Sequence, residues 1–78
     1  MRIVSANLNG IRSAATKGFF TWLESSGTDI VCIQETKAQT HQLDADTFNP
    51  PGWHRQLFDA VRPGYSGTAI YSRQQPDS

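Results

Sequence analysis

Ile30-Val31-Cys32-Ile33-Gln34-Glu35-Thr36-Lys37 is the stretch that decides the fold. Four apolar residues, three of them β-branched, stand between Thr28-Asp29 and a polar run, which predicts a strand buried on both faces in a partly parallel sheet. Upstream, residues 2–6 carry β-branched Ile3 and Val4 and run into Asn7-Leu8-Asn9-Gly10, whose Asn and Gly residues favour a turn. Between these candidate strands Ile11, Ala15, Phe19, Trp22 and Leu23 recur at helical spacing, and Ser25-Ser26-Gly27 closes the segment. The spacing predicts one amphipathic helix of about four turns, weakest at Gly18, with Ile11, Phe19 and Trp22 as its core stripe. Strand, helix and strand in this order form parallel neighbours joined by a right-handed crossover.

Downstream, residues 36–52 read as a polar connection with a helical turn around Leu43 to Phe48, ending at Pro50-Pro51-Gly52. Trp53 to Phe58 reads as a third strand, Arg62 to Gly67 as a loop and Thr68 to Ser72 as a fourth strand. The last two make a hairpin, so the sheet is mixed. Residues 74–78 are polar and read as the start of a loop.

With 78 residues the chain holds at most one domain. Hydrophobic residues at 37% and charged residues at 18% are those of a globular chain rather than a disordered one. Seven basic and seven acidic residues leave no basic excess, so any nucleic-acid reading has to come from motifs. The single cysteine, Cys32, lies in the apolar run without a disulfide partner, which predicts a small buried thiol and a reducing, cytoplasmic setting. No stretch has the length of a signal peptide's apolar region or of a membrane span, and no membrane partner is expected. His41 and His54 stand without a second His or Cys at zinc-ligand spacing.

In α/β sheets the functional crevice lies at the carboxyl ends of parallel strands. The first strand ends at Asn7, with Asn9 two residues on, and the second runs out into Gln34-Glu35-Thr36-Lys37. A carboxylate beside amide side chains suits a hard cation such as magnesium, which takes one or two carboxylates and keeps several waters. By itself Glu35 is more often an ordinary solvent-facing residue at a strand end, because a single carboxylate specifies little. Arg12 taken alone is a solvated charge, and Gly64-Tyr65-Ser66-Gly67 alone is a turn with a packed tyrosine.

The blocks Asn7-Leu8-Asn9-Gly10-Ile11-Arg12, Gln34-Glu35-Thr36-Lys37 and Gly64-Tyr65-Ser66-Gly67, in this order and at these intervals, resemble those of exonuclease III-type AP endonucleases, and the resemblance covers essentially the whole chain. It implies the N-terminal part of a four-layer α/β sandwich, the deoxyribonuclease I-like fold with a mixed sheet. It implies a magnesium-dependent phosphodiesterase of base-excision repair, with manganese as an alternative metal. The substrate would be double-stranded DNA, especially at abasic sites or 3′ ends, and the complete enzyme a monomer. By the resemblance Glu35 is the metal ligand, Asn7 holds the catalytic groups around the scissile phosphate, and Asn9 belongs to the metal's surroundings. Lys37 adjoins this site, and Arg12, Tyr65, Ser66 and Gly67 contact DNA.

The family's water-activating aspartate, second asparagine, phosphate-facing tyrosine and aspartate–histidine pair would lie beyond Ser78. The chain is therefore expected to be the N-terminal portion of the domain, to leave one sheet face without its partner sheet, and when made alone to be poorly folded or prone to aggregate and inactive on abasic DNA. The competing readings are another magnesium phosphoesterase of the same superfamily, acting for instance on an inositol phosphate, and a non-catalytic fragment.

Overall fold

The structure, a computed structural model, describes residues 1–59 and 67–73. Its strands are β1 (Ile3–Asn7), β2 (Ile30–Gln34), β3 (His54–Phe58) and β4 (Thr68–Ser72), and its helices α1 (Ile11–Thr16) and α2 (Phe19–Ser25). The strands form one mixed sheet in the order β1-β2-β4-β3. β1 and β2 are parallel, with Ile3 opposite Ile30 and Asn7 opposite Gln34, while β4 runs antiparallel to both β2 and β3. The expected hairpin is present, and its second strand, not its first, joins β2.

Alternation along the strands separates two faces. Val31, Ile33, Ala69 and Tyr71 are buried on one face, with Val4, Ala6 and Leu57 packed beside them. Ile11 of α1, Leu23 of α2, and Ala38 and Leu43 of the long connection complete this core. Phe20 reaches over the sheet to Tyr71, with ring centroids 5.4 Å apart and edge to face, an arrangement that adds to plain area burial. Arg55 also belongs to the inner face by its register opposite Tyr71. Its guanidinium donates to the carbonyl of Leu43 at 2.7 Å, and the Tyr71 hydroxyl donates to the carbonyl of Phe48 at 2.7 Å. These two bonds tie down the connection, which holds single 3-10 turns at Thr40–Gln42 and Asp46–Phe48 instead of one turn over Leu43 to Phe48.

Three expectations are corrected. The helix is not continuous, because Gly18 takes a left-handed φ of 97° and starts α2 afresh. Trp22 then turns away from the core and is 44% exposed, whereas Ile11 is fully buried and Phe19 half-buried. Finally, β2 is not buried on both faces. Val31 and Ile33 are buried, but Ile30, Cys32 and Gln34 are half-buried on the side that no second layer covers among the described residues. At the margins of that side Ile3 is 63% and Phe58 55% exposed. No helix among the described residues is long and apolar enough to cross a membrane.

Candidate functional site

The parallel register of β1 and β2 brings Asn7 and Gln34 level, so Glu35 emerges directly beside Asn7. Beyond the strand ends the two chains continue to pair. Leu8 N–H donates to the carbonyl of Gln34 at 3.2 Å, Gly10 N–H to that of Glu35 at 2.8 Å and Ile11 N–H to that of Thr36 at 2.8 Å. Thr36, buried, donates its own N–H to the carbonyl of Gly67 at 3.0 Å, which joins the start of β4 to the same edge. Gly67 is thus at the site, while Tyr65 and Ser66 lie outside the described residues.

Four polar side chains close a ring on this scaffold. The Asn7 amide Nδ2 donates to Glu35 Oε2, and its Oδ1 accepts the Asn9 backbone N–H at 3.1 Å. Lys37 Nζ donates to Asn9 Oδ1 and stands 3.9 Å from Glu35 Oε1. The two partners of Asn7 fix which end of its amide points where: the NH2 meets a carboxylate, and the oxygen meets an N–H. Arg12 joins from α1, its Nη2 donating to the carbonyl of Lys37 at 3.2 Å.

The backbone at these positions is unusual. Asn9, Glu35 and Lys37 have φ of 47°, 54° and 52°, the left-handed region that costs an L-residue about 1–2 kcal/mol, least for Asn. They are the three non-glycine residues with positive φ among the described residues, and all three belong to the ring. The backbone pairing of residues 8–11 with 34–36 holds these conformations, so the strain is concentrated where the polar groups converge.

Chemically, the ring offers one carboxylate, two amide oxygens and one ammonium. Among the described residues no three His, Cys, Asp or Glu side chains come together, and the donor set of the ring is the Glu35 carboxylate with neutral amide oxygens. This fits magnesium or manganese, hard cations that keep water ligands, and not the closed nitrogen and sulfur cages of structural zinc. Three of the other carboxylates are committed. Asp29 accepts the Arg2 N–H at 2.7 Å at the opposite end of the sheet, Asp59 accepts from Thr40, and Glu24 pairs with Arg73. Arg73 also stacks on Trp53 at 4.1 Å, and Arg55 is held by connection carbonyls, so these two arginines do not add to the site.

Sequence reasoning placed Asn7, Asn9, Glu35, Lys37, Arg12 and Gly67, and these six converge. It missed the buried link through Thr36 and the direct contact of Lys37 with Asn9, because neither residue type signals such a role at those positions.

The chain matches the Endonuclease/Exonuclease/phosphatase family over residues 4–78. It is 42% identical over 77 residues to an exodeoxyribonuclease of Bacillus subtilis (strain 168), an alignment covering 97% of this chain and 29% of that protein. Against a DNA-(apurinic or apyrimidinic site) endonuclease of Dictyostelium discoideum the identity is 31% over 78 residues, covering 100% of this chain and 21% of that protein. The structure of an AP endonuclease from Archaeoglobus fulgidus superposes with a TM-score of 0.83 at 32% identity, covering 99% of this chain and 29% of that one. The chain therefore spans less than a third of the length of each of these relatives.

Proposed function

The chain belongs to the endonuclease/exonuclease/phosphatase family, and from that premise we propose that it supplies the metal-binding edge of a magnesium-dependent DNA phosphodiesterase of base-excision repair, acting as an AP endonuclease and 3′-5′ exodeoxyribonuclease. The observation that carries this reading is the contact between Asn7 and Glu35, at the paired ends of β1 and β2, in a chain whose relatives are DNA nucleases by name. The substrate is double-stranded DNA with abasic sites or accessible 3′ ends. When bound, magnesium supplies the charge that polarises the scissile phosphate and stabilises the leaving 3′-oxygen.

Each side chain then has a defined task. Glu35 is the anionic ligand for the cation. Asn7 keeps that carboxylate in one orientation while its oxygen fixes the Asn9 turn. Lys37 places one cation beside the carboxylate and Arg12 a second at the Lys37 carbonyl, where they meet phosphate oxygens of the substrate. Tyr65, Ser66 and Gly67 contact the duplex, which the backbone can approach closely at Gly67.

The test is a chimera in which this chain replaces the matching 77 residues of the Bacillus exodeoxyribonuclease. The chimera is expected to incise an abasic duplex in magnesium. Glu35→Gln, which keeps shape and loses charge, should reduce incision by at least about a hundredfold, partly restored by more magnesium. Near-normal incision by the mutant at low magnesium would remove Glu35 from the site, and cleavage of an inositol phosphate in place of DNA would overturn the substrate assignment.

A further inference from the structure

The segment that follows Glu35 is tied down at nearly every step. The Thr36 carbonyl accepts the Ile11 N–H at 2.8 Å, and the Thr36 N–H donates to the carbonyl of Gly67 at 3.0 Å. The Lys37 carbonyl accepts Arg12 Nη2 at 3.2 Å, and Ala38 is buried in the core. The next tie is at Thr40. Its N–H donates to Asp59 Oδ2 at 3.0 Å, and its hydroxyl donates to the same carboxylate, 3.0 Å from Oδ1 and 2.9 Å from Oδ2. One carboxylate thus takes both donors of one residue.

Asp59 directly follows β3, and the pairing of Phe58 with Thr68 puts it at the same end of the hairpin as Gly67. Both ties to the hairpin therefore come from the site end of the sheet. One reaches Thr36, directly after Glu35, and the other reaches Thr40, a short step beyond Lys37. Glu35 and Lys37 both hold positive φ, a conformation that persists in such residues only where the surroundings over-determine it. From the β1 side the pairing of residues 8–11 supplies that constraint. From the hairpin side the clasp on Thr40 keeps the segment from sliding or unwinding, because it fixes backbone and side chain together.

Building on the nuclease reading above, we propose that Asp59 is a positioning residue for the metal edge: its clasp on Thr40 sets the path of residues 35–37, and with it the Glu35 carboxylate and the Lys37 ammonium. Asp59 acts through its hydrogen bonds and not through its charge. An asparagine there keeps an oxygen for the Thr40 N–H and offers its NH2 to the hydroxyl, so it serves in place of the aspartate. Residues that orient metal ligands typically matter by about tenfold to a hundredfold in affinity or activity, and for this exposed pair the lower figure applies.

The chimera with the Bacillus exodeoxyribonuclease includes both residues and is the protein to test. Asp59→Ala should lower kcat for abasic incision about tenfold while KM for DNA changes less than about twofold. It should weaken Mn2+ binding in the absence of DNA by a similar factor, read by electron paramagnetic resonance, and move the amide shifts of residues 35–37. Asp59→Asn should bring all of these back to near the parent values. Asp29→Ala is the control. It deletes a carboxylate that accepts the Arg2 N–H at the other end of the sheet, and should cost stability while leaving kcat, Mn2+ affinity and those shifts unchanged. Thr40→Val, which deletes the hydroxyl alone, should give the Asp59→Ala changes at smaller size, and it decides the matter if Asp59→Ala does not fold. Equal losses in Asp59→Asn and Asp59→Ala would make Asp59 an electrostatic group and overturn the positioning role. Unchanged shifts and Mn2+ affinity in Asp59→Ala would overturn it as well. If the parent chimera leaves abasic DNA uncut while shifts and Mn2+ affinity still respond to Asp59→Ala and recover in Asp59→Asn, the nuclease reading falls and the positioning role stands.

Discussion

Replacing Gly10 by alanine should damage the polar ring through the backbone alone. Gly10 sits at φ 111° and ψ 105°, outside every region open to an L-residue, and its N–H donates to the Glu35 carbonyl at 2.8 Å. An added Cβ would find its nearest neighbour, Ser13 Cβ, at 3.9 Å, an ordinary contact, so no side-chain clash contributes. The conformational penalty lies near the upper end of about 1–3 kcal/mol, and a shift that breaks the bond to Glu35 adds about 1 kcal/mol. The expected loss is therefore about 3–4 kcal/mol. Gly18→Ala provides the control. It also has positive φ, but at ψ 17°, within reach of the left-handed well, and with open space around it, so its cost is about 1 kcal/mol. Urea denaturation gives the two losses, and amide shifts of residues 35–37 report the site. Gly10→Ala should move those shifts and Gly18→Ala should not. Equal losses for the two variants, or unchanged shifts in Gly10→Ala, would refute the claim that backbone pairing at Gly10 holds the ring.

Arg12→Ala is expected to lower the salt dependence of DNA binding by about one unit of slope, measured as log affinity against log salt; an unchanged slope would remove Arg12 from the phosphate surface. Burial raises the Tyr71 hydroxyl above its ordinary value of 10.0, against a smaller opposing effect of Arg55. Its protonated form is favoured by folding, so its stabilisation is complete below pH 10 and is lost as pH rises from there through the folded value. Tyr71→Phe should cost about 1 kcal/mol at neutral pH, for the bond to Phe48, and flatten the decline of stability above pH 10. The 78-residue chain alone should not incise an abasic duplex in magnesium, since no three His, Cys, Asp or Glu side chains gather to hold a metal among the described residues; incision that disappears in Glu35→Gln would contradict this.

The parallel pair β1 and β2 was legible because its strands are short, β-branched and separated by a helical pattern, and that pairing alone sends Asn7 and Glu35 to the same edge. The hairpin was legible from its loop, but not the insertion of β4 between β2 and β3. That order depends on Ala69 and Tyr71 fitting against Val31 and Ile33, a packing choice with no local signal. The break at Gly18 and the exposure of Trp22 belong together. Helical spacing places Trp22 on the core stripe only if the helix is continuous, and one left-handed residue rotates everything after it. The backbone conformation of the ring escaped notice for a different reason. Glu and Lys have no preference for positive φ, so Glu35 and Lys37 take it because three backbone hydrogen bonds from residues 8–11 and one to Gly67 leave that path.

The ring also limits what this edge can do with a cation. Glu35 contributes one negative charge, Lys37 cancels it at 3.9 Å, and Asn9 is neutral at a position where a carboxylate would have left a net negative site. A divalent ion at Glu35 therefore meets a ring of zero net charge, a lysine that repels it, and the further positive charge of Arg12 at the Lys37 carbonyl. Phosphate changes that balance. On the proposed function, Lys37 and Arg12, drawn toward a strand's phosphate oxygens, would release their hold on the ring, and the phosphate would bring the oxygen ligands that magnesium takes most readily. Metal and DNA should accordingly bind this edge cooperatively, each raising the other's affinity by the same factor, as linkage requires. Tight metal binding in the absence of DNA, unchanged on adding it, would mean that Lys37 does not set the charge of the site.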